Sequence, residues 1–352
     1  MAEMYRKVDA GRLATLVTKL FQAAGMGDAD ATFMGQCLVD ADLRGVHSHG
    51  TRWASTYVRG LRSGGSNAKA EAKVVQDRGA TAIIDGDRGI GHIAVKKAMD
   101  LAIKKAKEFG NATVSIRRNG HCGAMAYYTQ QAADAGCIGF AATTGGTMIA
   151  PWGGLERRVG LNPISWAAPT GRGFSYNLDM APSVVAGSKV QMAQARGERI
   201  PLDWALDAEG NPTDDPETAF KEGTLQPIGG PKGVGLGIAA DILCAVLSGG
   251  RYGEPGARAA GGGERGGGQV VQAIDVEHFQ PLEEFKARMD RMVDSLKSSK
   301  VRPGAPGIFV PGELESQRKQ EYGQTGIPLD QPTRDALRGA AEEAGLPYDV
   351  EI

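Results

Sequence analysis

The sequence lacks the features of several common protein classes. Its 352 residues include no run of about 18 consecutive uncharged apolar residues, which a membrane-spanning helix needs. The 40 basic and 41 acidic residues give a net charge of −1, so we expect no basic surface for nucleic acid. The four cysteines form no CxxC pair, which argues against a disulfide framework or a cysteine-type zinc site. The first residues lack the apolar segment of a signal peptide, so we expect a cytoplasmic protein.

Glycine, in contrast, is abundant. The chain has 51 glycines in 352 residues, about 14%, which is twice the usual share of about 7%. Adding the 17 prolines gives about 19%, below the level of about 25–30% that is typical of disordered chains. With 41% hydrophobic residues the composition is that of a globular protein. The excess therefore indicates many turns, or backbone that lies close to a ligand.

The hydrophobic pattern predicts helices at both ends and a mixed α/β region between them. Apolar residues recur at helical spacing from Leu13 to Phe21, and a second helix is predicted from Asp28, as its N-cap, to Gly45. The other predicted helices are 92–109, 124–135, 184–196, 236–247, 281–298 and 332–344, and the predicted strands are 81–85, 112–116, 138–143, 164–167, 176–179 and 270–275.

Histidines at two loops are the first candidates for chemistry. His47 and His49 flank Ser48 after the second predicted helix, and Arg52 follows three residues later. His121 directly follows a predicted strand. An imidazole titrates near neutral pH and can move a proton, while an arginine can hold a carboxylate with two hydrogen bonds. This pairing suits hydride transfer to or from a 2-hydroxy acid.

A zinc site is the alternative for the same residues. His47 and His49 would point the same way on an extended segment, and His121 could be a third ligand. However, no HExxH motif is present. For any single histidine in a loop, a plain hydrogen-bonding role is also open.

The glycine motifs do not match the usual nucleotide fingerprints. Neither 86–91 nor 233–237 is a G-x-G-x-x-G between a strand and a helix, and no phosphate loop of the GxxxxGK[ST] type occurs. Lys232, at a predicted helix start, could meet a phosphate or be an ordinary solvated lysine. Asp179, at a strand end, could cap the next helix or orient a histidine.

Taken in order, these pieces resemble the malate/L-lactate dehydrogenase family, which is distinct from the Rossmann-type enzymes. The resemblance spans nearly the whole chain. It rests on the motifs HSHG at 47–50 with Arg52, NGHCGA at 119–124, APWGG at 150–154, NP at 162–163, LDMA at 178–181, WALD at 204–207 with PT at 212–213, GGPKG at 229–233, VPGE at 310–313 and GIPL at 326–329.

The resemblance implies a fold and an activity. The fold is α/β, with a non-Rossmann mixed-sheet NAD(P)-binding domain and a helical domain formed by both chain termini; we expect divisions at 1–75, 76–275 and 276–352. The activity is NAD(P)-dependent hydride transfer with a small 2-hydroxy or 2-oxo acid. Reduction of a cyclic imino acid and, in another class, a zinc-dependent hydrolase stay open as alternatives. The members of the family are homodimers.

The resemblance also implies roles for single residues. His49, His121 and Asp179 match catalytic positions, and Ser48 and Arg52 match the substrate-binding segment. The positions that match the NAD or NADP site are Thr144, Gly145, Gly146, Asp179, Met180, Ala181, Lys232, Gly266, Gly267 and Gly268. No resident metal is implied. The chain departs from the family pattern at 144–146, at Val234 and at 269–271.

Overall fold

The computed structural model describes residues 5–253 and 266–352. Its helices are α1 (Ala10–Ala23), α2 (Asp28–Leu43), α3 (Ala54–Arg62), α4 (Gly91–Phe109), α5 (Ala126–Asp134), α6 (Gly187–Arg196), α7 (Pro216–Lys221), α8 (Pro231–Asp241), α9 (Leu282–Lys297), α10 (Glu313–Thr325) and α11 (Gln331–Glu343). The strands are β1 (Tyr5–Val8), β2 (Lys73–Arg78), β3 (Thr81–Asp85), β4 (Asn111–Asn119), β5 (Cys137–Thr143), β6 (Thr147–Ile149), β7 (Val159–Gly160), β8 (Ile164–Ala168), β9 (Tyr176–Met180), β10 (Ala205–Leu206), β11 (Thr224–Leu225), β12 (Gly267–Asp275) and β13 (Ile327–Asp330).

A mixed seven-stranded sheet forms the centre, in the order β2-β3-β4-β12-β5-β8-β9. Only the β3–β4 pair of this sheet is parallel. The mixed α/β fold is the one predicted, and every strand expected from the sequence is present. The register brings the carboxyl ends of β4, β5 and β9 to one edge, because β12 begins beside the ends of β4 and β5 and β8 begins beside the end of β9.

Helices cover both faces of this sheet. On one face α4 and α5 pack with a core that includes Val114 and Val271. On the other face α8 and the π-helix Ile242–Val246 cover Ala142 and Val270. Successive residues of β12 enter opposite cores, as the period of two in a strand requires.

The two chain ends pack together in a separate core. β1 pairs antiparallel with β13, and the apolar stripe of α1, from Leu13 to Phe21, is buried with Leu337 of α11. The predicted N-cap of α2 was wrong by one residue, since Gly27 is the cap and Asp28 begins the helix. The division of the chain into domains at 75 and 275 stays a prediction.

Candidate active site

A cavity of about 670 Å³ lies between the helical part and the sheet edge where β4, β5 and β9 end. Its wall includes nine of the residues singled out from the sequence: Ser48, His49, His121, Thr144, Gly145, Gly146, Asp179, Met180 and Ala181. The volume is within the range of about 300–1,000 Å³ that is usual for small-molecule and cofactor sites. The sheet register and the packing of the N-terminal helices thus bring these separate motifs together.

His121 is held by an aromatic cluster. Its ring stacks on Trp53, with centroids 5.0 Å apart, and on His49, with centroids 5.9 Å apart. The hydroxyl of Tyr57 lies 2.5 Å from His121 Nδ1, which leaves Nε2 as the nitrogen that can meet a substrate. Burial, and then the charge of a protonated His49, lower the pKa of His121 to about 3. The ring is therefore neutral at pH 7.

The loop that carries His121 is fixed against the start of α4. The Gly91 N–H donates to the His121 carbonyl at 3.0 Å. A side chain at Gly91 would place its Cβ 2.2 Å from the Gly120 carbonyl oxygen. The glycines at 86–91, which looked like a nucleotide fingerprint, thus allow a close backbone approach beneath the histidine.

His49 has a different environment from His121. Ser48 Oγ lies 3.0 Å from His49 Nδ1, and burial followed by the charge of Arg52 lowers the pKa of His49. The guanidinium of Arg52 has no hydrogen bond or ion pair with the described residues, although the residue is partly buried. Arg52 does not line the cavity, but its charge reaches the ring that does.

His47 does not join the other histidines. Residues His47–His49 form a 3₁₀ turn, so the expected extended segment was wrong. His47 Nδ1 lies 2.9 Å from Asp42 Oδ1, and its ring stacks on Tyr322. Asp42 also accepts hydrogen bonds from the N–H and Oγ of Thr51 at 2.8 and 2.6 Å. Within the described residues, no group of three His, Cys, Asp or Glu side chains is arranged to hold a metal ion.

Asp179 lies at the cavity wall near the end of β9. Its Oδ2 accepts a hydrogen bond from the Ala126 N–H at 2.8 Å, so it caps the start of α5 and not the helix that follows it in sequence. The surrounding protein desolvates the carboxyl and raises its pKa to about 6, against the favourable effects of the Ala126 N–H and the charge of Arg44. The pKa of Asp179 is thus raised although its side chain is exposed to the cavity.

The loop after β5 supplies backbone to the cavity. Thr144 N–H donates to the Gly268 carbonyl at 3.0 Å, and Gly145 N–H donates to Asn162 Oδ1 at 2.8 Å. Leu161 N–H donates to the Gly146 carbonyl at 2.9 Å. The loop is therefore fixed from both sides while its residues line the cavity.

The other predicted cofactor residues lie outside the cavity wall. Lys232 is exposed in the first turn of α8, and the segment from Gly266 to Gly268 packs at the start of β12. A Cβ at Gly268 would lie 1.7 Å from the Cys244 carbonyl oxygen, so this glycine serves a close approach between backbones. The remaining part of the glycine-rich stretch, 254–265, lies outside the described residues.

Several residues in the cavity wall or directly behind it were missed by the sequence analysis. Trp53 and Tyr57 hold His121, and His92, fully buried in the first turn of α4, lies edge-on to Tyr57 with centroids 5.5 Å apart. Arg44 also lines the cavity, 4.0 Å from Asp40. These residue types are common in helix interiors and faces, and nothing in their local spacing marks them.

The start of α6 is a further missed feature. Ala186, Gly187 and Ser188 line the cavity at the positive end of the helix. Ser188 Oγ is buried and has no hydrogen-bond partner within the described residues. A helix start of this kind favours anions, because its free N–H groups and its dipole face them.

Comparison with known proteins identifies the family. Residues 8–338 match the malate/L-lactate dehydrogenase family. The chain belongs to this family. It is 36% identical to a malate dehydrogenase of Pyrococcus abyssi over 98% of this chain and 96% of that protein. It is 37% identical to an L-sulfolactate dehydrogenase of Methanocaldococcus jannaschii over 94% of this chain and 95% of that one.

Solved structures agree with this membership. The malate dehydrogenase of Pyrococcus horikoshii OT3 superposes with a TM-score of 0.90 at 34% identity, covering 98% of this chain and 97% of that one. The delta1-piperideine-2-carboxylate reductase of Pseudomonas syringae pvar. tomato gives 0.84 at 27% identity, covering 96% and 100%. The chain is thus a hydroxy-acid dehydrogenase that acts on a CH–OH group, as predicted. No helix among the described residues is long and apolar enough to cross a membrane.

Proposed function

We propose that this chain transfers a hydride between NAD(P) and a small 2-hydroxy or 2-oxo acid, with His121 as the acid/base. The observation that carries the proposal is the stacked His49–His121 pair, with Tyr57 on His121 Nδ1, at the wall of a ligand-sized cavity. The roles of the single residues rest on this geometry and on the family pattern.

The wall of the cavity supports binding of a dinucleotide in this proposal. The backbone of Thr144, Gly145 and Gly146 lines it without bulky side chains, and Met180 and Ala181 lie on the same wall. The start of α6, with the unpartnered Ser188 Oγ, suits a diphosphate. These residues would hold a nicotinamide nucleotide, which would supply the hydride chemistry needed at C2 of the substrate. The nucleotide is NAD or NADP, and its further predicted contacts are Lys232 and the segment from Gly266 to Gly268.

His121 moves the proton in this proposal. In the oxidation of a hydroxy acid, its neutral Nε2 accepts the hydroxyl proton as the hydride departs. Nδ1 then carries its proton toward the oxygen of Tyr57, which fixes the ring orientation. Because His49 is stacked on His121, protonation of one ring disfavours protonation of the other. The two rings therefore carry at most one positive charge between them.

Charged groups complete the site. Asp179 lines the same cavity as His49 and His121, and it is the proposed partner that orients or charges the histidine pair. Arg52, which lies outside the cavity wall but close enough to lower the pKa of His49, is the proposed ligand of the substrate carboxylate, and Ser48 in the wall is the proposed second contact. A carboxylate bound by Arg52 would also offset the positive charge that Arg52 imposes on His49.

A panel assay tests the proposal. The purified protein is mixed with NADH or NADPH and with 2-oxo acids, including oxaloacetate and sulfopyruvate, and nicotinamide absorbance is followed with and without a chelator. We expect turnover that a chelator does not change. Binding of neither nucleotide and turnover of no acid would refute the proposal, and loss of activity on chelation would favour the zinc alternative. Variants His121→Ala and His49→Ala then assign the acid/base: the His121 variant should lose turnover.

Reduction of a cyclic imino acid is the second candidate. The likeness to the delta1-piperideine-2-carboxylate reductase favours it, because nitrogen replaces oxygen and the same proton donor is needed. The same panel includes cyclic imino acids. A kcat/KM for an imino acid that exceeds that of every 2-oxo acid would decide for this candidate.

We further propose that the chain forms a homodimer and is cytoplasmic. The outer face of α8 and of the π-helix is apolar and exposed, with Ile242, Val246 and Leu247 each more than half exposed. A contiguous apolar surface of this kind marks an interaction site. Light scattering after gel filtration measures the mass: a dimer is expected, and Val246→Glu should shift it to the monomer. A monomeric wild-type protein would contradict this assignment.

A further inference from the structure

Asn162, a residue outside the cavity, fixes the loop that lines it. The side chain is fully buried between the loop after β5 and helix α8. Its Oδ1 accepts a hydrogen bond from the Gly145 N–H at 2.8 Å, and its Nδ2 donates to the Gly237 carbonyl at 2.8 Å. Asn162 therefore joins the middle of the loop to the body of a helix.

The backbone packs closely around Asn162. A Cβ at Gly160 would lie 2.1 Å from Asn162 Oδ1, and a Cβ at Gly145 would lie 3.0 Å from the Asn162 main-chain nitrogen. The neighbouring Leu161 N–H donates to the Gly146 carbonyl at 2.9 Å. An asparagine side chain satisfies a donor on one side and an acceptor on the other, which neither a carboxylate nor a hydrocarbon can do.

Asp241, the last residue of α8, supports Asn162 from behind. Hydrogen bonds from the Asn162 side chain and the Gly160 main chain stabilise its carboxylate, but burial outweighs them and raises the pKa of Asp241 to about 6. An amide and an acid are thus held side by side in the protein interior. Such a buried pair is costly unless its members fix each other's orientation.

We propose that Asn162 is a positioning residue for the nucleotide: it holds the Gly145 N–H so that the loop from Thr144 to Gly146 presents its backbone to the cofactor. This inference rests on the proposed function, because it takes the loop as part of the nucleotide site. Asn162 touches neither the cavity nor the histidines, and so it acts on nucleotide affinity and not on the proton transfer.

The test uses three variants of the full chain. Asn162→Ala removes the hydrogen bonds to the Gly145 N–H and the Gly237 carbonyl, and with them the contact with Asp241. The double variant Asn162→Asp with Asp241→Asn exchanges the amide and the acid, so one of each is kept and an oxygen still faces the Gly145 N–H. Ser115→Ala is the matched control, because Ser115 Oγ is also buried in this sheet but has no hydrogen-bond partner among the described residues and does not touch the loop.

Two measurements are made on each variant. Amide hydrogen exchange reports the protection of the Gly145 and Leu161 N–H groups, and NADH or NADPH fluorescence gives the nucleotide Kd. In Asn162→Ala we expect faster exchange in the loop and a Kd raised about tenfold or more, from the loss of two buried hydrogen bonds. The double variant keeps an acceptor for the Gly145 N–H but loses the donor to the Gly237 carbonyl, so it should restore the protection of Gly145 and only part of the lost affinity. The pH profile of kcat should keep its shape.

Other outcomes overturn the inference in distinguishable ways. Unchanged exchange in Asn162→Ala would show that Asn162 does not hold the loop, with the proposed function intact. Faster exchange at an unchanged Kd would show that the loop is not part of the nucleotide site, while turnover by the wild type would keep the dehydrogenase function. A wild type that binds neither nucleotide would refute the proposed function itself. If Asn162→Ala does not fold, the double variant Asn162→Asp with Asp241→Asn is the test instead. A folded double variant in which the Gly145 N–H is unprotected would contradict the inference.

Discussion

Replacing Tyr57 by Phe removes one hydrogen bond from the proposed proton-transfer site and little else. The Tyr57 hydroxyl lies 2.5 Å from His121 Nδ1, whereas the ring packs on Trp53 and His92 with centroids 5.7 and 5.5 Å away. Phenylalanine keeps those ring contacts. The variant should therefore fold normally, with a change in unfolding free energy of about 1 kcal/mol.

The effect on catalysis is expected to be larger. His121 becomes charged when it accepts a proton, and a hydrogen bond to a charged group contributes about 1.5–3 kcal/mol. At about 1.36 kcal/mol for each factor of ten, kcat should fall by about 10- to 150-fold. KM should change little, because the hydrogen bond strengthens only as the charge develops.

Steady-state kinetics with the best acid of the panel measure this effect. Tyr322→Phe is the control, since the Tyr322 ring stacks on His47, which takes no part in the proposed reaction. A kcat for Tyr57→Phe within threefold of the wild-type value, with the fold intact by circular dichroism, would refute the role of Tyr57. It would also leave the orientation of His121 without an explanation.

Three other changes test the charges and the core. Because the pKa of Asp179 is raised to about 6, kcat/KM for hydroxy-acid oxidation should fall below pH about 6 as the carboxylate is protonated. Asp179→Asn should abolish this acidic decrease in the pH profile and lower the rate by about 10²-fold. An unchanged decrease in the variant would assign it to another group. The pKa of Asp241 is also raised to about 6 in the folded state, so the folded protein binds this proton more tightly than the unfolded chain does. The free energy of unfolding should therefore fall by up to about 3 kcal/mol as the pH rises from about 4 to above 6. Urea unfolding should show a weaker pH dependence in Asp241→Asn; an equal slope would contradict this. For His92, neither ring nitrogen has a hydrogen bond of ordinary geometry within the described residues, although the main chain of His121 opposes the fall in its pKa. His92→Leu should therefore change the unfolding free energy by less than about 1.5 kcal/mol, and a loss of several kcal/mol would show that the contact with His121 is a strong hydrogen bond.

The sequence predicted most of the central elements, because their signals are local. The stripe from Leu13 to Phe21 marks α1, and the strands that became β3, β5 and β12 show short apolar runs bounded by glycine or charge. β1 was missed, since its burial depends on a partner more than 300 residues away in sequence and three of its four residues are exposed. α10 was missed because Glu313 alone is buried in it.

For the candidate site too, local sequence signals were found and contacts between distant residues were not. The motifs around His49, His121 and Asp179 were found from their order along the chain, and the structure places all three on one cavity wall. Tyr57 and Trp53 could not be found this way, since the sequence pattern does not distinguish an aromatic residue of a site from an aromatic residue of the hydrophobic core. The capping of α5 by Asp179 also had no signal, because it joins residues 53 positions apart.

The pairing of β1 with β13 has a consequence for biosynthesis. The ribosome releases Tyr5–Val8 long before Ile327–Asp330, so the first strand waits for almost the whole chain. Until then the N-terminal helices that carry His49 and Tyr57 lack the partners that bury them beside the sheet. We therefore expect a competent site only once the segment from β13 to α11 can pack with the N-terminal helices. A protein truncated shortly before residue 327 would therefore keep its central layer and have no activity.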